Sequence, residues 1–230
     1  MSLAANAALV GTWAMRRARV GERPPSRERA RAELFHDLAT APVQRDVVAL
    51  GDSLTDRGEW WELLGRPVAN RGVAGDTVEA VRARLDDVVA LAPRTVLLQI
   101  GINDLLAGTP PEALVVRHAQ LVGELRRRLP RARIVVESLL PIRDEAVARD
   151  AALTTATVQR ANALLQPAAT AAGAEWLDAF GPLADATGQL DPRYASDGLH
   201  LSAAGYRTWA AALARSLPDA AERIAAPPER

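Results

Sequence analysis

Five short apolar runs, separated by segments with helical character, are the feature that most constrains how this chain can fold. They cover 46–51, 67–72, 95–101, 132–138 and 173–179. The runs are continuously apolar instead of alternating with polar residues, which is typical of strands buried on both faces. Helices are predicted between them at 56–65, 77–90, 111–129 and 151–171, with a last helix at 202–216. Because each connection carries a helix, the sequence predicts a three-layer α/β/α sandwich around a five-stranded parallel sheet.

Capping residues support several of these boundaries. Ser26 is a predicted N-cap for a lead-in helix that ends near Leu38. Asp76 is followed three residues later by Glu79, which is an acidic variant of the capping box, so the helix at 77–90 is predicted to be capped by Asp76.

Composition excludes several classes of site and partner. The chain has no Cys, so disulfides, zinc–thiolate sites, iron–sulfur clusters and a Cys nucleophile are all excluded. Its 28 basic residues balance its 28 acidic ones, so no overall field attracts nucleic acid or an anionic membrane. We therefore expect a small-molecule partner and no nucleic acid; the sequence carries no prediction of oligomeric state.

The N-terminal stretch Leu3–Met15 is uncharged and precedes two arginines. It is shorter than the roughly 20 residues that a membrane-spanning helix needs, and it lacks a basic region in front and a clear cleavage site behind. We expect a helix or cap in a cytoplasmic protein with no stable membrane insertion. Export or membrane association through this segment stays open as an alternative.

Polar and glycine residues follow the first three predicted strands. Ser53 comes after the first strand, Gly75 after the second and Asn103 after the third. In an open parallel sheet the ligand crevice lies outside the carboxyl ends of the strands. A serine hydroxyl, a flexible glycine backbone and an amide donor are therefore expected to meet at that edge.

A serine nucleophile needs a general base, and the chain has only three histidines. His36 and His118 fall within predicted helices, where a structural role is expected. His200 lies just ahead of the last helix, and Asp197 precedes it by three residues, close enough to hold one ring nitrogen while the other faces outward. The hypothesis is a triad of Ser53, His200 and Asp197.

Such a nucleophile also needs donors for the oxyanion that forms when it attacks a carbonyl. The expected donors are the backbone N–H groups of Ser53 and Gly75 and the side-chain amide of Asn103.

Four motifs of this chain occur in order in one known family. GDSLTD contains Ser53, NRGVAGDT contains Gly75, GIND contains Asn103, and DGLH contains Asp197 and His200. The chain resembles the GDSL-type esterases and lipases of the SGNH hydrolase superfamily, most closely the platelet-activating-factor acetylhydrolase type and related bacterial esterases. The resemblance implies a flavodoxin-like fold and ester hydrolysis through an acyl-enzyme, without a metal or other cofactor.

The predicted function is hydrolysis of small carboxylic esters with a short acyl or acetyl group. Two alternatives stay open: a catalytically silent module that binds a small ligand, and an acyltransferase that uses the same triad. Leu54 and Trp61 are possible walls of the substrate pocket, although core packing is the preferred interpretation for Trp61.

Other polar residues near the motifs are expected to act structurally. Asp52 and Asp56 are expected to cap the helix or bind local backbone, and Asp104 to orient the loop of Asn103. Arg71 is expected in an ion pair or at the surface, with contact to a polar substrate group as the alternative.

The predicted domain organisation has three parts. Residues 1–42 form an N-terminal helical extension, 43–217 form the SGNH hydrolase domain, and 218–230 form a C-terminal tail.

Overall fold

The computed structural model describes residues 26–41, 43–147 and 153–217, and a parallel sheet lies at its centre. The strands are β1 Val47–Gly51, β2 Val68–Gly72, β3 Thr95–Gln99, β4 Arg133–Glu137 and β5 Glu175–Leu177. Their order across the sheet is β2-β1-β3-β4-β5, and every neighbouring pair is parallel. The predicted five-stranded parallel sheet is therefore confirmed.

Helices connect the strands and cover both faces of the sheet. They are α1 Arg27–Ala39, α2 Ser53–Asp56, α3 Trp60–Leu64, α4 Val78–Ala83, α5 Leu85–Val89, α6 Ile102–Leu106, α7 Pro111–Arg128, α8 Asp144–Val147, α9 Thr155–Ala171 and α10 Ala203–Ser216, with a 3-10 turn at Gly181–Leu183. Helix α7 packs against α4 and α9, whereas α10 packs against α3. The arrangement is the predicted α/β/α sandwich.

The core lies along the central strands, where every residue of β1 and β3 is buried. Burial on both faces explains why the central residues of these strands are apolar instead of alternating with polar ones. Polar residues can be accommodated at the carboxyl ends of these strands, where the chain leaves the core.

Two helix predictions were wrong in detail. The helix predicted at 77–90 is two helices, α4 and α5, because Arg84 has a non-helical backbone with φ −117° and ψ 22°. Asp76 is not its cap. Thr77 occupies that position, and its hydroxyl accepts the N–H of Ala80 at 3.3 Å. The carboxylate of Asp76 instead binds Arg84 at 2.7 Å.

The helix predicted at 56–65 begins later, at Trp60, and a separate one-turn helix, α2, precedes it. The lead-in helix α1 agrees with the prediction, since the hydroxyl of Ser26 accepts the N–H of Arg29 at 3.3 Å.

Helix α1 docks against the carboxyl end of β2. Its Arg31 Nε lies 2.6 Å from the carbonyl oxygen of Gly72 and 2.7 Å from Oδ1 of Asp56. The buried ring of Phe35 lies between two guanidinium groups, with Arg31 at 4.9 Å and Arg71 at 4.4 Å from its centroid. The cation–π contact with Arg71 therefore joins α1 to β2, and the ion pair with Asp56 joins α1 to the end of α2.

The apolar stretch Leu3–Met15 lies outside the described residues. Among the residues that the structure does describe, no helix combines the length and the apolar character needed to cross a membrane.

Candidate active site

Ser53 stands at the carboxyl end of β1, as the first residue of α2. Asp52 caps this helix, since its Oδ1 accepts the N–H of Leu54 at 2.9 Å. Gly72 of β2 lets the two segments approach closely, because a Cβ there would lie 2.1 Å from the backbone nitrogen of Asp56. The turn that presents Ser53 is thus packed directly against the neighbouring strand.

Asn70 of β2 binds the backbone on the far side of this turn. Its Nδ2 lies 3.0 Å, 3.1 Å and 3.0 Å from the carbonyl oxygens of Thr55, Asp56 and Gly58. Its Oδ1 accepts the N–H of Gly72 at 2.9 Å. This half-buried side chain therefore binds carbonyls at and just beyond the end of α2, where the helical hydrogen-bond pattern stops.

Aromatic side chains also form hydrogen bonds with the same turn. Tyr206 donates its hydroxyl to the carbonyl oxygen of Leu54 at 2.8 Å, and the indole N–H of Trp60 donates to that of Thr55 at 2.9 Å. Trp60 and Trp209 pack edge to face with ring centroids 4.8 Å apart. Helices α3 and α10 thereby fix the position of the turn that carries Ser53.

A continuous hydrogen-bond relay joins Ser53 to the segment before α10. Ser53 Oγ lies 3.0 Å from His200 Nε2, and His200 Nδ1 lies 2.8 Å from Asp197 Oδ2. The other oxygen of Asp197 accepts the backbone N–H groups of His200 at 2.8 Å and Leu199 at 3.1 Å. Gly198 has a φ of +85°, a conformation that glycine adopts readily and that closes this turn.

These hydrogen bonds stabilise the ionised form of Asp197. Burial by itself would raise the pKa of this carboxyl, but the backbone N–H and the ring of His200, together with the N–H of Leu199, lower it to about 2. Asp197 is therefore a carboxylate at neutral pH and accepts the Nδ1–H of His200. That tautomer leaves the lone pair of Nε2 facing the hydroxyl of Ser53.

Three potential oxyanion donors lie at the ends of β1, β2 and β3. Within the described part of the chain, the backbone N–H groups of Ser53 and Gly75 donate to no other group. Gly75 has a φ of +82°, and a Cβ there would meet no atom within 4 Å, so open space adjoins it. Asn103 donates one amide hydrogen to the carbonyl of Asp76 at 2.8 Å, which leaves its second hydrogen for a ligand.

The side chain of Asp104 links two helices near these donors. Its Oδ2 accepts the N–H of Val78 at 2.9 Å, and Arg117 Nη1 lies 3.4 Å from its Oδ1. This contact joins α6, which carries Asn103, to the start of α4.

The two suggested pocket residues lie in different environments. Leu54 is only 1% exposed and packs in the core, whereas Trp61 is 62% exposed on α3. The core position considered for Trp61 belongs to its neighbour Trp60, which is buried. A pocket role for either residue stays a prediction.

Arg71 and the two remaining histidines lie away from this relay. Arg71 is buried over the ring of Phe35. His36 is exposed on α1, 3.8 Å from Asp87. His118 is buried in α7, where loss of hydration lowers its pKa to about 4, so it stays neutral at physiological pH.

Among the described residues, no three His, Asp or Glu side chains gather as a metal ion would require. Sequence reasoning missed the supporting contacts of Asn70 and Tyr206. Asn70 carried a signal, since it is an uncharged polar residue inside a predicted buried strand.

Comparison with known proteins adds independent information. The sequence model of the GDSL-like lipase/acylhydrolase family matches residues 49–208, a range that includes all four motifs. No curated protein matches the sequence.

Solved structures share the fold. A Streptococcus pneumoniae protein provisionally described as a platelet activating factor superposes with a TM-score of 0.76 at 26% identity, over 94% of this chain and 100% of that one. A GDSL-like lipase from Bacteroides thetaiotaomicron gives 0.68 at 21% identity, over 80% and 96%. A mutant acetyl-xylooligosaccharide esterase from Geobacillus stearothermophilus gives 0.60 at 21%, over 75% and 94%.

The family match covers more than half of the chain, and the sheet order and helical layers agree with the fold of these structures. The chain therefore belongs to the GDSL-like lipase/acylhydrolase family, whose members hydrolyse esters, and it is a carboxylic ester hydrolase.

Proposed function

We propose that this protein hydrolyses small carboxylic esters through an acyl-enzyme on Ser53, with His200 as general base and acid and Asp197 as the group that orients it. The observation that carries the proposal is the relay from Ser53 Oγ to His200 Nε2 at 3.0 Å and from His200 Nδ1 to Asp197 at 2.8 Å. An ionised carboxylate at the far end of the relay favours the imidazolium that forms during catalysis.

Acylation begins when Ser53 Oγ attacks the ester carbonyl carbon and passes its proton to His200 Nε2. The carbonyl oxygen becomes an oxyanion, which receives hydrogen bonds from the N–H groups of Ser53 and Gly75 and from Asn103. When the tetrahedral intermediate collapses, the bond to the alcohol oxygen breaks and His200 gives that oxygen its proton. The free alcohol leaves, and the acyl group stays on Ser53.

Deacylation repeats these steps with water. His200 removes a proton from the attacking water, the same donors bind the second oxyanion, and His200 returns the proton to Ser53 as the acid leaves. No step needs a group that the chain lacks.

A short acyl group is the proposed specificity. One neighbour supports it, since it is described as an acetyl-xylooligosaccharide esterase. Transfer of the acyl group to an alcohol would use the same acyl-enzyme and differ only in the second nucleophile.

The test uses p-nitrophenyl acetate, butyrate and octanoate with the wild-type protein and Ser53→Ala. We expect the acetyl ester to have the highest kcat/KM, and Ser53→Ala to lose several orders of magnitude in kcat with that ester, since a single triad residue accounts for most of the chemistry. Ser202→Ala, a change at the N-cap of α10, is the matched serine control.

Equal turnover by Ser53→Ala and the wild type would refute the assignment of the nucleophile. A higher kcat/KM for octanoate would refute the short-acyl specificity alone. Added alcohols such as glycerol distinguish transfer from hydrolysis, because an ester product appears only if transfer occurs.

A further inference from the structure

Arg84 lies at the break between α4 and α5 and binds three separate backbone segments. Its Nε lies 2.7 Å from Asp76 Oδ2, while its Nη2 lies 2.9 Å from the carbonyl oxygen of Arg71 and 3.3 Å from that of Gly51. Both members of the ion pair are largely buried, with side chains 10% and 13% exposed. A planar guanidinium with several fixed donors suits a contact of this kind, and an ammonium does not.

Two of the potential oxyanion donors, Ser53 and Gly75, lie next to these segments in the sequence. Gly51 precedes the turn of Ser53, and its carbonyl also accepts the N–H of Val73 at 3.1 Å. Asp76 directly follows Gly75. Arg84 therefore bridges the end of β1, the end of β2 and the loop in which Gly75 presents its N–H.

The same pair also reaches the third donor. The backbone carbonyl of Asp76 accepts one amide hydrogen of Asn103 at 2.8 Å, so the position of Asp76 sets where the second amide hydrogen lies. Arg84 is therefore connected through Asp76 to both the loop of Gly75 and the side chain of Asn103.

The pair imposes costs that ordinary helix packing would avoid. Arg84 leaves the helical conformation, which divides one helix into two. Burial raises the pKa of Asp76, and the nearby guanidinium of Arg84 opposes that rise. Removing either partner would leave a buried charge unpaired.

We propose that Arg84 is a positioning residue for the oxyanion hole: it fixes the spacing between the Gly75 loop, the Asn103 amide and the nucleophile turn without touching the substrate. The inference rests on the proposed acyl-enzyme function. When the donors are displaced by a fraction of an ångström, their hydrogen bonds to the oxyanion lose more energy than their hydrogen bonds to the neutral carbonyl of the bound ester. Loss of Arg84 therefore lowers kcat and leaves KM nearly unchanged.

The experiment compares Arg84→Gln, Arg84→Lys and Asp76→Asn with the wild type, using p-nitrophenyl acetate for kcat and KM. The matched control is Arg82→Gln on α4, whose ion pairs with Glu79 and Glu124 lie away from the donors. Melting temperatures identify the folded range of each variant, and all rates are measured within it.

We expect kcat to fall about 10- to 100-fold in Arg84→Gln with KM changed less than threefold. Asp76→Asn should show a smaller loss of the same kind, because its backbone carbonyl still accepts Asn103. Arg84→Lys keeps the charge but cannot bridge both carbonyls, so it should recover stability more fully than kcat. The control should match the wild type.

A second readout is inhibition by a small alkylboronic acid, whose tetrahedral adduct on Ser53 carries a negative oxygen. Its Ki should rise in parallel with the loss of kcat in Arg84→Gln, whereas a role in folding alone would leave the Ki of the folded protein unchanged. If Arg84→Gln does not fold, Arg84→Lys and Asp76→Asn decide the question by the same two measurements.

A wild-type kcat and Ki in folded Arg84→Gln, or full recovery of kcat in Arg84→Lys, would overturn the inference. Ser53→Ala separates this failure from failure of the proposed function. If Ser53→Ala is inactive while the Arg84 variants behave as wild type, only the positioning role is wrong. If Ser53→Ala is active, the acyl-enzyme itself is wrong.

Discussion

Asp52→Asn should gain stability relative to the wild type as the pH rises. Asp52 has no solvent exposure, and its Oδ2 has no hydrogen-bond partner among the described residues. Burial raises its pKa from 3.8 to about 7, against the hydrogen bond from the N–H of Leu54, and the nearby carboxylates of Asp76 and Asp104 add to the rise. The folded protein therefore holds this proton at pH values where the unfolded chain has lost it.

The sign and size of the effect follow from proton linkage. A carboxyl whose folded pKa is raised makes the folded state less stable as pH rises from about 4 to about 7. Between pH 5 and pH 8, a shift from 3.8 to about 7 corresponds to a loss of about 2 to 3 kcal/mol in the free energy of unfolding. Asparagine does not titrate, so the variant should not share this loss.

The substitution keeps the helix cap, because the amide oxygen can still accept the N–H of Leu54. The new NH₂ group replaces an oxygen that lacks a partner, and an unsatisfied donor costs about 1 to 3 kcal/mol at every pH. That cost cancels when the difference between variant and wild type at pH 8 is compared with the difference at pH 5. The linkage contribution of about 2 to 3 kcal/mol is what remains.

The assay is urea unfolding at pH 5 and pH 8, followed by tryptophan fluorescence. Asp37→Asn, which alters an exposed carboxyl on α1, is the matched control and should show no such pH dependence. Glu137, whose pKa burial raises to about 8, titrates in both proteins and does not affect the comparison. A difference between Asp52→Asn and wild type that is the same at both pH values would refute the reasoning.

Two further substitutions test other parts of the structure. Asn103→Ala should lower kcat by about 10²- to 10³-fold if its amide is an oxyanion donor, and a loss below threefold in steady-state ester hydrolysis would contradict that role. His118→Gln should flatten acid destabilisation: burial lowers the pKa of His118 to about 4, so the wild type loses stability as pH falls from 6.5 towards 4. Urea unfolding at pH 6.5 and 4.5 should show a smaller loss of stability in His118→Gln than in the wild type, and no such difference in the exposed His36→Gln. An equal loss of stability in all three proteins would contradict this prediction.

The parts of the fold that follow from local pattern could be predicted from the sequence. Continuous apolar runs such as 46–51 and 95–101 became central strands because burial on both faces demands such runs. The residues that come together in the relay could be selected as well, since only His200 among three histidines lies ahead of a helix at the carboxyl edge of the sheet.

Features that depend on long-range partners could not be predicted. The pattern at 77–90 is helical throughout, and its division at Arg84 coincides with contacts to Asp76, Arg71 and Gly51 that no local rule contains. The same contact explains why Asp76, a suitable capping residue by its spacing, is not the cap.

The two neighbouring tryptophans, Trp60 and Trp61, also show that long-range contacts limit prediction from the sequence. Trp60 and Trp61 are equivalent in sequence, but only Trp60 has an indole N–H that reaches the carbonyl of Thr55 and a ring that packs on Trp209. Which of the two faces the core depends on helix α10, almost 150 residues away along the chain, as the sequence numbering shows.

The docking of α1 sets a limit on how far this protein can be shortened. A fragment cut to the family-matched range 49–208 would remove Phe35 and Arg31, leaving Asp56 without its closest cation. At the other end it would remove Trp209, the donor at 2.6 Å to the buried carboxyl of Glu137. Deletion boundaries for expression or fusion should therefore be placed before α1 and after α10, so that both sets of contacts are kept.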